Sequence, residues 1–149
     1  MLEPRADWPS SLRASTSAER PIALVNLLRF AATVAVDGAT MSGEAAYDEY
    51  VRRVEGAVFR HGGRPVFRAR GSVPIVGQAD ERWDLVVVVW YPSRSAFEGF
   101  MESADYRSNA HLAQIALAEA TVHAVTAPQR VGRLAGALYA LTVRLRRHT

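Results

Sequence analysis

Residues 83–93 read WDLVVVVWYPS: a tryptophan and an aspartate, then leucine and four valines, then an aromatic pair and a Pro-Ser helix start. A second run, PIALVNLLRF at 21–30, is equally apolar but is interrupted by Asn26 and Arg29. A half-exposed strand alternates apolar with polar residues, so unbroken β-branched and aliphatic runs of this length read as central strands covered on both faces. Polar side chains within such runs lose water and must find partners. Asn26, Arg29 and Asp84 therefore either satisfy one another and the nearby backbone or line a cavity.

Working outward, residues 1–20 are rich in Pro, Ser, Ala and Arg without a sustained period and read as a flexible N-terminal arm. After strand one comes a loop containing Asp37-Gly38 and Ser42-Gly43. From Glu44 to about His61, Ala46, Tyr47, Tyr50, Val51, Val54, Val58 and Phe59 recur at helical spacing, and Gly62-Gly63 closes the helix. Residues 64–76 alternate loosely as strand two, with Gly71 and Pro74 marking a bulge or edge. Strand three is 83–91. Ser93 or Ser95 caps a second helix, the break at Ser103-Ala104-Asp105 leads into a helical stretch from Tyr106 to Glu119, and Thr121–Thr126 is a short last strand. The order β-α-β-β-α-β predicts an α+β, ferredoxin-like fold: a four-stranded antiparallel sheet with strands one and three in the middle and two helices on one face. The other face has no cover within this pattern and calls for a second copy of the chain.

The length of 149 residues, with 49% hydrophobic residues, suits one domain with extensions. There is no cysteine, which excludes disulfides, thiolate metal sites and thiol nucleophiles. All 18 basic residues are arginine, which excludes Schiff-base and P-loop lysines. HExxH, an Asp-rich calcium loop, a phosphate-binding glycine loop and a Gly-x-Ser-x-Gly elbow are all missing, so neither metal nor cofactor is expected. No apolar run approaches the ~20 residues of a membrane span, nor does the N-terminus resemble a signal peptide; a cytoplasmic protein is expected.

Charge is uneven. Residues 1–119 hold 13 arginines against all 15 acids, whereas residues 120–149 hold five arginines and no acid. The body is not basic and carries no nucleic-acid-binding motif, so nucleic acid is not an expected partner. In the tail 128–149, Leu134, Leu138, Leu141 and Leu145 fall at spacings of four, three and four, with Arg133, Arg144 and Arg147 elsewhere around the turn, which predicts a basic amphipathic helix. Docking on the partner protomer is preferred to a membrane surface, because Gly132 and Gly136 weaken an isolated helix.

PIALVNLLRF, AYDEYV opening the first helix, the Gly-Gly turn and ERWDLVVVVWYPSRSAFEGFMESADY together resemble the dimeric α/β-barrel superfamily and, within it, the domain-of-unknown-function family thirteen-thirty, over residues 21–127. The resemblance implies a homodimer whose two sheets close into a barrel, with a small-molecule cavity between sheet and helices in each protomer. It supplies no reaction; wider relatives include cofactor-free monooxygenases, cyclases, isomerases and haem-degrading enzymes.

Strand alternation puts Asn26 on one face with Ile22, Leu24, Leu28 and Phe30, and Asp84 on one face with Val86, Val88 and Trp90, so the two meet in one cavity if register allows. Asn26 then offers a donor and an acceptor to a carbonyl or enolate; Asp84 alternatively accepts from strand-end backbone or pairs with Arg68, Arg70 or Arg82. His111, on the second helical stretch, is the best general base available if it faces the cavity. Tyr47 and Tyr50 share a helix face that caps the cavity, with Arg68 and Tyr106 at its rim. His61 reads as a helix-end cation. The expected function is a small-molecule enzyme without bound cofactor, moving a proton on an aromatic, polyketide-like or other carbonyl-bearing substrate. The alternatives are a non-catalytic ligand-binding or accessory homodimer and, more remotely, a haem-handling protein: haem-holding relatives use a strand-one Asn and a second-helix His, although Phe100 stands where their third residue, a tryptophan, is expected.

Overall fold

The computed structural model describes residues 2–126 and 128. In chain order the elements are α1 (Trp8–Ser15), β1 (Ile22–Phe30), β2 (Val34–Val36), β3 (Ala39–Met41), α2 (Gly43–Arg60), β4 (Arg64–Arg70), β5 (Leu85–Tyr91), α3 (Arg94–Glu102), α4 (Ala104–Ala116) and β6 (Leu117–Val125). Four of the strands form one antiparallel sheet in the order β4-β5-β1-β6, and β2-β3 is a separate hairpin. The two unbroken apolar runs are the two central strands, and the fold is the ferredoxin-like α+β arrangement.

Strand and helix ends follow local chemistry. The Ser42 hydroxyl accepts from Ala45 N at 3.1 Å and caps α2, and the Ser93 hydroxyl accepts from Ala96 N at 3.0 Å and caps α3. Ser103 serves two helices: its backbone N–H donates to Phe100 O at the end of α3, and its hydroxyl accepts from Tyr106 N at the start of α4. Gly43 opens α2 between the end of β1 and the end of α4, where an added Cβ would lie 2.3 Å from Ala31 O and 2.4 Å from Ala116 O. No larger residue fits there without moving backbone.

Four segments depart from the sequence expectations. Strand two, expected over 64–76, ends at Arg70, and Gly71 with a φ of 72° begins the connection to β5. The stretch expected as a loop after β1 is a hairpin, turned at Asp37 and Gly38 with φ of 50° and 80°. Two successive positive φ values match the right-handed twist of the flanking strands, and Asp-Gly is the dipeptide that adopts them most readily. The last strand begins at Leu117, four residues before Thr121, because α4 stops at Ala116. The expected arm contains α1, which has Pro9 in its first turn and buries Leu12. Trp8 lies 5.7 Å from Phe97, ring to ring, and Leu12 belongs to the same apolar cluster as Ile22, Leu24, Tyr91 and Phe97. The segment is held further by α3, whose Arg94 and Ser95 N–H groups donate to Arg20 O and Ala18 O, and by Arg13, 3.0 Å from Glu98. The helix expected over 130–147 lies outside the described residues.

Side chains of α2, α3 and α4 pack on one sheet face in two separate apolar clusters. One joins Leu12, Ile22, Leu24, Val54, Tyr91 and Phe100; the other joins Val36 of the hairpin with Ala46, Leu112 and Ala116. Among the described residues no helix is long and apolar enough to cross a membrane.

Leu12→Ala should lower stability by about 2–5 kcal/mol, the usual result of truncating a buried leucine, with a single cooperative melt in calorimetry. An unchanged melting temperature would show that α1 is not part of the folded unit.

Candidate functional site

The register of β1 against its neighbours builds the site. Asn26 stands opposite Val87 on β5 and Val122 on β6, and Val87 stands opposite Arg68 on β4. Directly opposed residues in antiparallel strands share a face. One row, Arg68-Val87-Asn26-Val122, therefore crosses the helix-covered face of the sheet. Val122 is nonetheless 54% exposed, so the helix layer stops short of the β6 edge. Leu24 and Leu28, two residues to either side of Asn26, are buried at 7% and 2%.

On the same side of the sheet α2 and α4 bring tyrosines together. The Tyr47 and Tyr50 rings are 5.6 Å apart, Tyr47 also touches Phe30 at 5.7 Å, and Tyr106 packs on Phe100 at 5.2 Å. Tyr50 borders both apolar clusters, Tyr47 the hairpin cluster and Tyr106 the other. The tyrosines thus mark the seam between two packed regions. None of their three hydroxyls has a hydrogen-bond partner among the described residues. None is sealed either: the closed-off, unpaired side-chain atoms there are Arg29 Nε and Arg94 Nε. Unpaired hydroxyls at a packing seam are uncommon, since losing water without gaining a partner is unfavourable.

Burial pushes the Tyr47 hydroxyl up to about 12, with nearby Arg68 pulling it down and Asp48 pushing it further up. Burial also raises Tyr50, reinforced by Tyr47, Tyr106 and Tyr91, and raises Tyr106. At neutral pH these phenols are protonated and act as donors. Arg68 is held at the rim by Asp48, 3.7 Å away. Asn26 uses its side-chain nitrogen on backbone, donating to Leu24 O at 3.2 Å and Val87 O at 3.1 Å.

Asn26, Tyr47, Tyr50, Arg68 and Tyr106 thus collect on one side, but Asp84 and His111 do not join them. Leu28 pairs with Leu85, so Asp84 stands three residues from Val87, the partner of Asn26, or about 10 Å along the strand. Its carboxylate accepts from Phe30 N at 2.8 Å, its own N–H donates to Leu28 O at 2.8 Å and its carbonyl accepts from Gly71 N at 3.0 Å. Asp84 is a strand-end clamp across three strands, bordering an open groove of about 420 Å³ beside Ser42, Glu44 and Arg70. His111 is exposed on α4, whose inward positions are Leu112 and Ala116; it does not face the sheet. His61 bonds Ala57 O at 2.8 Å at the end of α2, the helix-end role expected.

The second sheet face carries Val25, Leu27, Val86, Val88 and Trp90, with Phe67 54% and Val125 43% exposed at its edges. Arg29 lies on this face, paired with Glu119 and 5.9 Å from the centre of the Trp83 ring. Beside it the β4–β5 connection holds Ile75 and Val76 at 91% and 94% exposure. Neither that connection nor the tyrosine seam announces itself by a motif; alternation and helical spacing are the signals that locate them.

The family described as Domain of unknown function (DUF1330) matches residues 34–127. Among solved structures, the RPA0582 protein of Rhodopseudomonas palustris, itself of unknown function, is similar at 26% identity with a TM-score of 0.77, covering 87% of this chain and 98% of that one. The methylated form of RPA0582 gives 28% identity, a TM-score of 0.78 and coverage of 89% and 98%. No curated protein matches.

The raised Tyr47 value has a consequence in alkali. A phenol whose folded pKa exceeds its unfolded value of 10.0 contributes stability that is whole below that pH and is lost as pH rises toward about 12, because the unfolded chain releases the proton first. Tyr47→Phe should flatten this alkaline fall in denaturant midpoint and remove one late step from the phenolate absorbance titration. A fall of the same steepness in the variant would mean that Tyr47 titrates normally.

Proposed function

We propose, from the premise that the chain belongs to the DUF1330 family, that the protein is a cytoplasmic homodimer that binds a small molecule on the helix side of each sheet, without a bound cofactor. The observation that carries this is the set of hydroxyls of Tyr47, Tyr50 and Tyr106, protonated, not closed off and without a hydrogen-bond partner among the described residues, on the sheet side that carries Asn26 and Arg68. Apolar surroundings with a few convergent polar groups are the kind of lining that ligand sites have. Neutral phenols suit a carbonyl or enolate oxygen, to which they donate. If the bound molecule reacts, their part is to stabilise negative charge developing on that oxygen. His111 is exposed on α4 and the Asp84 carboxylate is bonded to Phe30 N, so ligand binding with carbonyl polarisation is favoured over proton abstraction by either residue.

Dimerisation is supported by the apolar sheet face against which no described helix packs, with Phe67 and Val125 exposed at its edges, and by Ile75 and Val76 beside it. A contiguous apolar face of this kind marks a protein contact, and a second copy related by a two-fold axis satisfies it with the same residues on both sides.

Multi-angle light scattering at micromolar concentration should give twice the 16.3 kDa chain mass, and Val88→Asp should halve it. A stable wild-type monomer overturns the dimer. For the ligand site, acetophenone titrated into 15N-labelled protein should shift amides of α2, α4 and the centre of β1. Tyr47→Phe and Tyr50→Phe should each weaken binding about 2- to 10-fold, the loss of one hydrogen bond. Shifts confined to other surfaces, or affinities unchanged in both variants, would reject the site.

A further inference from the structure

The side-chain amide of Asn26 has only one workable orientation. Its nitrogen lies 3.2 Å from Leu24 O and 3.1 Å from Val87 O. Both neighbours are carbonyl oxygens, which only accept, so the group facing them must be the NH₂; the flipped amide would set Oδ1 against two oxygens. Both amide protons are then engaged by backbone. Oδ1 is left as an acceptor without a partner among the described residues, and it is not one of the sealed atoms.

That leaves the seam with an unequal set of polar groups. Arg68 only donates, and the tyrosine hydroxyls, held neutral by burial, offer a proton and only a weak acceptor. The Asp48 carboxylate is engaged with Arg68 at the rim, so the amide oxygen of Asn26 is the neutral acceptor among these groups that no described donor occupies. Its place along β1 lies between Leu24, which belongs to the cluster bordering Tyr50, and Phe30, which touches Tyr47. A ligand that covers Oδ1 without giving it a proton strips that oxygen of water and leaves it unpaired.

We infer that Asn26 selects a ligand that brings its own hydrogen-bond donor: a hydroxyl- or enol-bearing carbonyl compound in preference to a plain ketone. The ligand's carbonyl oxygen takes protons from the tyrosines, and its O–H gives one to Asn26 Oδ1. This rests on the tyrosine seam being a ligand site, and it adds the polarity that the ligand must have.

The test uses three aryl ketones as probes of wild-type protein by 15N-amide shift titration: acetophenone, 3-hydroxyacetophenone and 3-methylacetophenone, whose methyl group nearly matches the hydroxyl in size. The hydroxy ketone should bind about tenfold or more tightly than the methyl ketone, the discrimination typical of a buried polar group that one ligand satisfies and the other leaves unpaired. Asn26→Leu should bring that ratio to about one by weakening the hydroxy ketone. If Asn26→Leu fails to fold after losing its two backbone bonds, the wild-type ratio decides together with the Asn26 side-chain amide signal, which should move with the hydroxy ketone and stay with the methyl ketone. Equal wild-type affinities, or a ratio that survives in Asn26→Leu, overturns the role of Asn26 while leaving the ligand site in place. Failure of all three ketones to bind removes the site and this selection with it.

Discussion

Seven consecutive pairs between β1 and β5, from Ile22 with Tyr91 to Leu28 with Leu85, decide which side of the molecule every other group reaches. The register is fixed because Ile22, Leu28, Leu85 and Tyr91 are all buried beneath the helices at 2% exposure or less. A slip of one residue would turn the whole set outward and bring Leu27 and Val86 in. The same constraint sends Asn26 to the helix side and Arg29 to the uncovered side, and it sets Arg68 in line with Asn26 two strands away. Each polar interruption of the two apolar runs thereby has a distinct surrounding: backbone carbonyls for Asn26, Glu119 and the Trp83 ring for Arg29, and the Phe30 N–H for Asp84.

The packing above the sheet explains why the tyrosines remain unpaired. A single continuous core would have enclosed them among aliphatic groups at a substantial desolvation cost. Two clusters form instead, one anchored by α1 and α3 and the other by the hairpin and α4. Their boundary is marked by Tyr47, Tyr50 and Tyr106, whose rings pack on the clusters while their hydroxyls are not closed off. The hairpin is thus part of the architecture of the seam: Val36 is buried against the same helices that carry Tyr47 and Tyr50.

Much of the fold was legible because it rests on periodicity. The apolar runs at 22–30 and 83–91 identified the central strands, and the spacing of Ala46 and Val54 marked the buried side of α2, to which the structure adds Ala57. The hairpin has a sequence signal too: Asp37-Gly38 lies between Val34-Ala35-Val36 and Ala39-Thr40-Met41, but strands of three residues are too short to show a period of two beside it. In α1 the signals were Pro in the first turn and Trp8 four residues before Leu12, too short a pattern to stand out in a stretch rich in serine and alanine. For the site, alternation correctly grouped Asn26 with Leu24 and Leu28, but pairing register is not written in either strand alone, so the distance between Asn26 and Asp84 was hidden. The outward position of His111 has a similar origin. Leu112 and Ala116, not His111, face inward, and the choice depends on how α4 is rotated against α2.

That rotation is set by a single residue. Ser103 ends α3 and starts α4 with no spacer between them, so the phase of α4 is counted directly from α3. Each residue of an α-helix advances about 100° around the axis. One residue gained or lost near Ser103 would therefore swing Leu112 and Ala116 away from α2 and displace the start of β6. Chain length is consequently as tightly constrained here as side-chain chemistry. The exposed connection from β4 to β5 is not bound in this way, because it ends neither helix nor hairpin against a counted neighbour.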